Sequence, residues 1–168
     1  RIRNSNRRSS TEEMNRSINE ASNFQSLQDV LTGLLNKSTG KAGLTEGTNA
    51  GTIKTVTAID FCVNGVPGTQ KAATDNIAMT ACDTQPVSTY CKYLVSIAIG
   101  GAVTVTKGNN AATAALALLP ALPATGAPIG YFQILTDAST TFTSGTTDLG
   151  AAGLTETYGD LNSVVTIS

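Results

Sequence analysis

The order of apolar and polar residues divides the chain into two regimes. From Met14 the apolar positions run Met14, Ile18, Ala21, Phe24, Leu27, Leu31 and Leu34, in steps of three and four. That spacing keeps one face of an α-helix apolar over about six turns. Ser10, followed three residues later by Glu13, forms a capping box that sets the start of this helix. Gly33, Lys37 and Gly40 place its end near 32–37. A lone helix of this composition is marginal in water, so its apolar face must pack on something.

From Thr52 onward the period changes to two. Residues 53–63 read as strand, and Asn64-Gly65 between apolar runs is a hairpin turn. Pro67 makes the return strand an edge or an early stop. Residues 74–81 fit a short strand or one helical turn equally. Tyr93, Val95, Ile97 and Ile99 alternate along one strand, Gly100-Gly101 turns the chain, and Val103 and Val105 alternate on the return. The Ala- and Leu-rich residues 110–119 predict a short helix, capped by Asn109 or Asn110 and stopped by Pro120. Residues 129–135 and 163–167 read as further strands. Leu149 and Leu154 fall in Thr/Gly-rich connections.

The pattern therefore predicts three parts. Residues 1–41 form a basic arm with an amphipathic helix, and residues 42–52 a Gly-rich linker. Residues 53–168 form a mainly β body, an antiparallel β-sandwich of jelly-roll-like type with one short helix.

Charge sharpens this division. Residues 1–41 carry seven cations against four acids, net +3, and the remainder four lysines against eight acids, net −4. A basic arm on an acidic body is the pattern of a segment that docks on an anionic partner. The expected partner-binding residues of the arm are Arg1, Arg3, Arg7 and Arg8, with Met14, Ile18, Phe24, Leu27, Leu31 and Leu34 on the apolar stripe. No aromatic residue interleaves the arginines, which argues for a protein groove over nucleic acid. Charged residues make up only 14% of the chain, and Thr, Ala, Gly, Ser and Asn take their place. Such a neutral, hydroxyl-rich surface suits particle coats, fibres and surface layers. No apolar run reaches the length that spans a bilayer, so no membrane partner is expected.

The chemistry-bearing residue types point away from catalysis. The chain has no His, which removes Ser-His-Asp and Cys-His arrangements. No phosphate-binding glycine motif or calcium loop is present. Cys62, Cys82 and Cys91 match no zinc spacing, and three is an odd number for a disulfide framework. Either Cys82 pairs with Cys91 or all three are small buried residues. The acids are scattered beside turns. We therefore expect no enzyme, no catalytic residue, no cofactor and no metal.

Several segments in the body carry a resemblance. They are Lys71-Ala-Ala-Thr-Asp-Asn-Ile-Ala-Met-Thr, Cys91-Lys-Tyr-Leu-Val-Ser-Ile, Val103-Thr-Val-Thr-Lys-Gly-Asn and Leu119-Pro-Ala-Leu-Pro. With them go Ala127-Pro-Ile-Gly-Tyr, Thr146-Thr-Asp-Leu and Ala152-Gly-Leu-Thr. In this order, over residues 53–160, the chain resembles a family of tailed-bacteriophage virion structural proteins. The resemblance implies a virion component on the capsid surface: a decoration (cement) protein, a head fibre or a tail-associated module. It implies a homotrimer bound to the major capsid protein or another virion protein, and it carries over no catalytic residue. The arm lies outside the matched segments, so its docking role rests on the residue pattern alone. A non-viral surface-layer or filament subunit is the remaining alternative.

Overall fold

The computed structural model describes residues 35–161. The predicted arm helix, with Arg1, Arg3, Arg7, Arg8, Met14, Ile18, Phe24, Leu27, Leu31 and Leu34, lies outside the described residues, as does the strand expected at 163–167.

Among the described residues ten strands follow one another: β1 (Lys37–Ser38), β2 (Leu44–Glu46), β3 (Thr52–Thr55), β4 (Phe61–Val63), β5 (Val66–Pro67), β6 (Ile77–Ala78), β7 (Tyr90–Ala98), β8 (Val103–Lys107), β9 (Gly126–Thr136) and β10 (Leu154–Asp160). The described part is mainly β with almost no helix. Every strand pairing is antiparallel, in three sheets ordered β1-β4-β5, β10-β9-β7-β8 and β2-β3-β6.

The largest sheet is built on β7 and β9. Cys91, Tyr93, Val95 and Ile97 share one face of β7 and are fully buried, but Leu94 and Ser96 on the other face are buried as well, so burial does not alternate from Tyr93 to Ile97. Tyr93 stands opposite Phe132 of β9. Their rings stack at 4.9 Å, and Phe142 meets both edge-on at 5.4 and 6.5 Å. Such cross-strand aromatic pairs fix register as well as adding stability. The register shifts between Val95 and Ser96, so that Ile129 is the extra residue of β9. Pro128, which has no N–H to give to a ladder, sits at this irregularity. The aromatic cluster continues into a core with Ile53, Ile59, Phe61, Ile134 and Leu149, so the small sheets and the large one share buried side chains.

The turns fall where their residues direct them. Asn64 (φ 53°) and Gly65 (φ 76°) join β4 to β5 with the two positive φ angles of a type I′ turn. β5, with Pro67, is an edge strand. The ambiguous segment 74–81 holds the short strand β6.

Five readings are corrected. Residues 42–52 are not a free linker: they contain β2, with Ala42 and Leu44 buried, because Leu44 pairs beside Thr55 and packs against Gly130, where a Cβ would overlap its side chain. The short helix expected at 110–119 does not form, and one turn at Thr113 stands in its place. Leu154 opens a full strand instead of sitting in a connection, because its strand pairs with β9 over seven residues. Ile99 belongs to the turn after β7 and is 46% exposed, not buried with Tyr93 and Ile97. Cys82 and Cys91 are not bonded: all three cysteines are free, Cys91 buried and the other two half-buried.

Candidate docking surface

One connection in the large sheet has a geometric obligation. β8 and β9 flank β7, and both run antiparallel to it. They are therefore parallel to each other, and the chain between them must cross over β7. Parallel strands need a connection of a dozen or more residues, usually an α-helix. Here the Ala/Leu/Pro segment 108–125 makes the crossing without one.

The root of the crossover is tied down at four places. The Gly108 N–H donates to the Lys92 carbonyl at 2.8 Å. A Cβ on Gly108 would overlap the Leu118 carbonyl oxygen and sit 2.9 Å from that of Lys92, so only glycine fits this approach. Tyr90 and Ala111 exchange backbone hydrogen bonds at 2.7 and 2.8 Å. Asn109 then clamps the loop across its own width, its Nδ2 donating to the Leu116 carbonyl (3.0 Å) and its Oδ1 accepting from the Leu118 N–H (2.7 Å). Two of these bonds occupy groups, the Ala111 carbonyl and the Leu118 N–H, that a helix over 110–119 would have paired internally, which works against that helix.

The far end is held by Asn36. Its Nδ2 donates to the carbonyls of Pro123 (3.3 Å) and Ala124 (3.0 Å), while its Oδ1 accepts from the Asn64 N–H at 2.6 Å. Asn36 is buried, so these bonds are shielded from water and hard to replace.

Between the two anchors the loop faces two ways. Ala117 is fully buried, and so is Leu94 on the side of β7 that faces away from the aromatic cluster. Neither belongs to the main core cluster. On either side of Ala117, Leu116 and Leu118 are each 63% exposed, and Leu122 is 50% exposed. No charged residue lies between Lys107 and Asp137. Single exposed leucines are common, and it is their recurrence on one pinned, charge-free segment that makes this the candidate docking surface.

The carboxylates are used differently. Asp75 accepts from the Thr48 hydroxyl (2.5 Å) and N–H (3.1 Å), and these bonds, with that from Asn76, hold its carboxyl below the usual range. Asp137 accepts from the N–H groups of Ser139 (2.8 Å) and Thr140 (2.6 Å), with the same effect. Glu46 accepts from Gly150, Asp160 from Gly43 and Asp60 from Gln70. These acids staple loops. Among the described residues no group of three or more Cys, Asp or Glu side chains converges as a metal site would require, and no helix is long and apolar enough to cross a membrane. A cleft of about 580 Å³ lies beside the crossover root, lined by Ala81, Cys82, Asp83, Lys107 and Gly108.

The site residues read from the sequence all fall in the arm, outside the described residues. Leu116 and Leu118 lie in the stretch 110–119 that the sequence predicts as a short helix, and Leu122 lies beyond it. The signal that marks them is the long interval without charge, which a helix-and-strand reading passes over. No protein-family model matches the chain, and no curated protein or solved structure matches it.

Proposed function

We propose that the chain is a non-enzymatic structural subunit of a virion, a decoration (cement) protein on the capsid surface that meets the major capsid protein through its arm, residues 1–41, and the base of its body. The observation that carries this reading is the division of labour among side chains. Asp75, Asp137 and Glu46 hold the body's own loops, while one pinned, charge-free, leucine-bearing segment is left outward. A body of this kind is suited to adhering and to surviving outside a cell. The finer architecture that accompanies the reading is a jelly-roll-like sandwich, supported by three antiparallel sheets sharing one buried cluster.

The test is the molar ratio of this chain to the major shell protein in density-purified particles. One copy per shell subunit, or one trimer per few subunits, is the expected result. A handful of copies per particle favours a head fibre or tail component instead. Absence from particles overturns the virion reading and leaves a surface-layer or filament subunit. The arm's part is tested by Leu27→Asp with Leu31→Asp, which should abolish attachment while the body stays folded; normal attachment would remove the arm as anchor.

A further inference from the structure

We propose that Asn64 is a modification site, where the side-chain amide is lost to attack by the Gly65 nitrogen, and that Leu35 and Asn36 set the rate of that loss. The inference stands apart from the virion reading.

The chemistry follows from two neighbours in the sequence. Asn64 is the one asparagine of the chain that precedes a glycine, and no aspartate does. Glycine has no Cβ to hinder the approach of its own nitrogen. Hydroxide takes the proton of the Gly65 amide, and the nitrogen attacks Cγ of Asn64. The Cγ–Nδ2 bond breaks, and ammonia leaves with a proton from water, which restores the hydroxide. A cyclic succinimide remains. Water then opens one of its two carbonyls, giving either aspartate or isoaspartate, in which the main chain runs through the side chain. No oxidant, reductant or metal enters the balance.

The position permits the reaction and the surrounding bonds time it. Asn64 and Gly65 are both exposed at the tip of the β4–β5 hairpin, so water and hydroxide reach them. The Gly65 N–H, however, donates to the Leu35 carbonyl at 3.1 Å, and the Asn64 N–H donates to Oδ1 of buried Asn36 at 2.6 Å. While these bonds hold, the attacking nitrogen is turned toward Leu35, and the peptide plane between the two residues is kept from swinging toward Cγ. The reaction therefore waits for a local opening of the tie, which costs less than unfolding the body.

The product does not fit the turn. Isoaspartate adds a methylene to the main chain between the pairs Val63↔Val66 and Cys62↔Pro67 on one side and the tip on the other. A type I′ turn depends on two residues at positive φ, and the longer link loses that geometry. The next bond along the hairpin, from the Gly68 N–H to the Phe61 carbonyl at 2.9 Å, is the one exposed to this change. Asn36 also donates to the Pro123 and Ala124 carbonyls, so the same side chain joins this turn to the far anchor of the crossover.

The experiment incubates the folded full chain at mildly alkaline pH and maps each asparagine by mass spectrometry, with fragmentation that separates isoaspartate from aspartate. A free peptide of residues 59–70 and the variants Asn36→Ala and Asn64→Gly run alongside. Asn64 should convert before any other asparagine of residues 35–161. Its rate should match the free-peptide rate divided by the hydrogen-exchange protection of the Gly65 amide, to within about tenfold, because one opening frees the same N–H for both. Folded Asn36→Ala should convert about tenfold faster, as loss of one hydrogen bond from the closed turn predicts. The Gly68 amide should lose protection in the aged wild type and keep it in equally aged Asn64→Gly, which retains a turn-competent pair. Earlier conversion of another asparagine in that range, no conversion after the time set by the protection, or conversion as fast as in the peptide overturns the proposal. So does an unchanged rate in folded Asn36→Ala, or equal Gly68 protection in fresh and converted protein. The wild-type comparison needs no variant and decides the matter even where Asn36→Ala fails to fold.

Discussion

The hydroxyl of Tyr93 donates to Oε1 of Gln85 at 3.1 Å, and both side chains are fully buried. Gln85 in turn spends both amide hydrogens, on the carbonyls of Thr89 (2.8 Å) and Ile134 (3.1 Å), and its backbone exchanges bonds with Phe142. One glutamine thus ties the loop before β7 to β9 and to the segment that carries the third ring of the aromatic cluster. Gln85→Leu strands the Tyr93 hydroxyl and takes the amide donor from the Ile134 carbonyl, while the Thr89 carbonyl keeps the Thr136 N–H; it should cost about 2 kcal/mol by urea denaturation. Tyr93→Phe keeps the ring stack and should cost about 1 kcal/mol. Near-additive losses in the double variant would contradict the coupling, because residues sharing a hydrogen bond should not behave independently.

Alkaline stability should follow from the same tyrosine. Burial, first of all, raises the Tyr93 phenol well above its ordinary value of 10. Its contribution is therefore complete below the unfolded value and is lost as the pH climbs beyond it. The urea midpoint of the wild type should fall above pH 10, and Tyr93→Phe should flatten that fall.

Tyr158 makes the opposite case. Its hydroxyl is buried without a hydrogen-bond partner among the described residues, and burial, then Glu156 and Glu46, raises its phenol. Its ring lies 6.3 Å from that of Phe132. Tyr158→Phe retains the ring and removes the stranded group, so it should raise the melting temperature, by the equivalent of about 1 kcal/mol. A drop in melting temperature would show that the hydroxyl is satisfied in solution.

Acid should loosen the loops at Asp75 and Asp137. Both carboxyls titrate below their ordinary value of 3.8, Asp75 chiefly through the Thr48 hydroxyl and Asp137 chiefly through the Ser139 N–H. A lowered value means stability that is present above the unfolded value and lost as the pH falls through the folded one. Protection of the 139–140 amides, measured against their intrinsic exchange rates, should therefore fall below pH 4, and Asp137→Asn should make that protection insensitive to acid in that window.

Gly108→Ala forces a Cβ into the Leu118 carbonyl, and Asn109→Ala removes the clamp on Leu116 and Leu118. Each should destabilise by roughly 1–3 kcal/mol and raise the proteolytic sensitivity of 110–122. Protease resistance equal to the wild type would mean that the crossover is held by its apolar underside alone. The thiols offer a parallel check. Cys91, raised chiefly by burial, should alkylate far more slowly than half-buried Cys62 and Cys82.

How much was legible in the sequence depended on how local the cause was. Asn64-Gly65 fixes a turn by the φ angles two adjacent residues tolerate, and the alternation from Tyr93 to Ile97 fixes a buried face by its period. Both were readable without knowing the partners. The helix expected at 110–119 followed from equally local propensity but lost to distant demands. Tyr90 and Asn109 take the Ala111 carbonyl and the Leu118 N–H, and the positions of β8 and β9 require a span across β7. Residues 42–52 looked like a linker because glycine dominates them, yet Leu44 finds a place against Gly130, far along the chain. β10 was missed because Thr155, Glu156 and Thr157 dilute its alternation, and pairing with β9 supplies what its own composition lacks.

The sequence by itself determined the β character of the body, its tightest turn, the inner face of its longest hairpin and the uncharged interval from Lys107 to Asp137. These depend on backbone preference and on spacing along the chain. Only the tertiary structure decided that the uncharged interval crosses the sheet, that Ala117 faces inward and that Leu116 and Leu118 face outward. Those outcomes depend on which strands flank β7, and strand order is set by the sum of many long-range contacts that no local stretch of residues encodes.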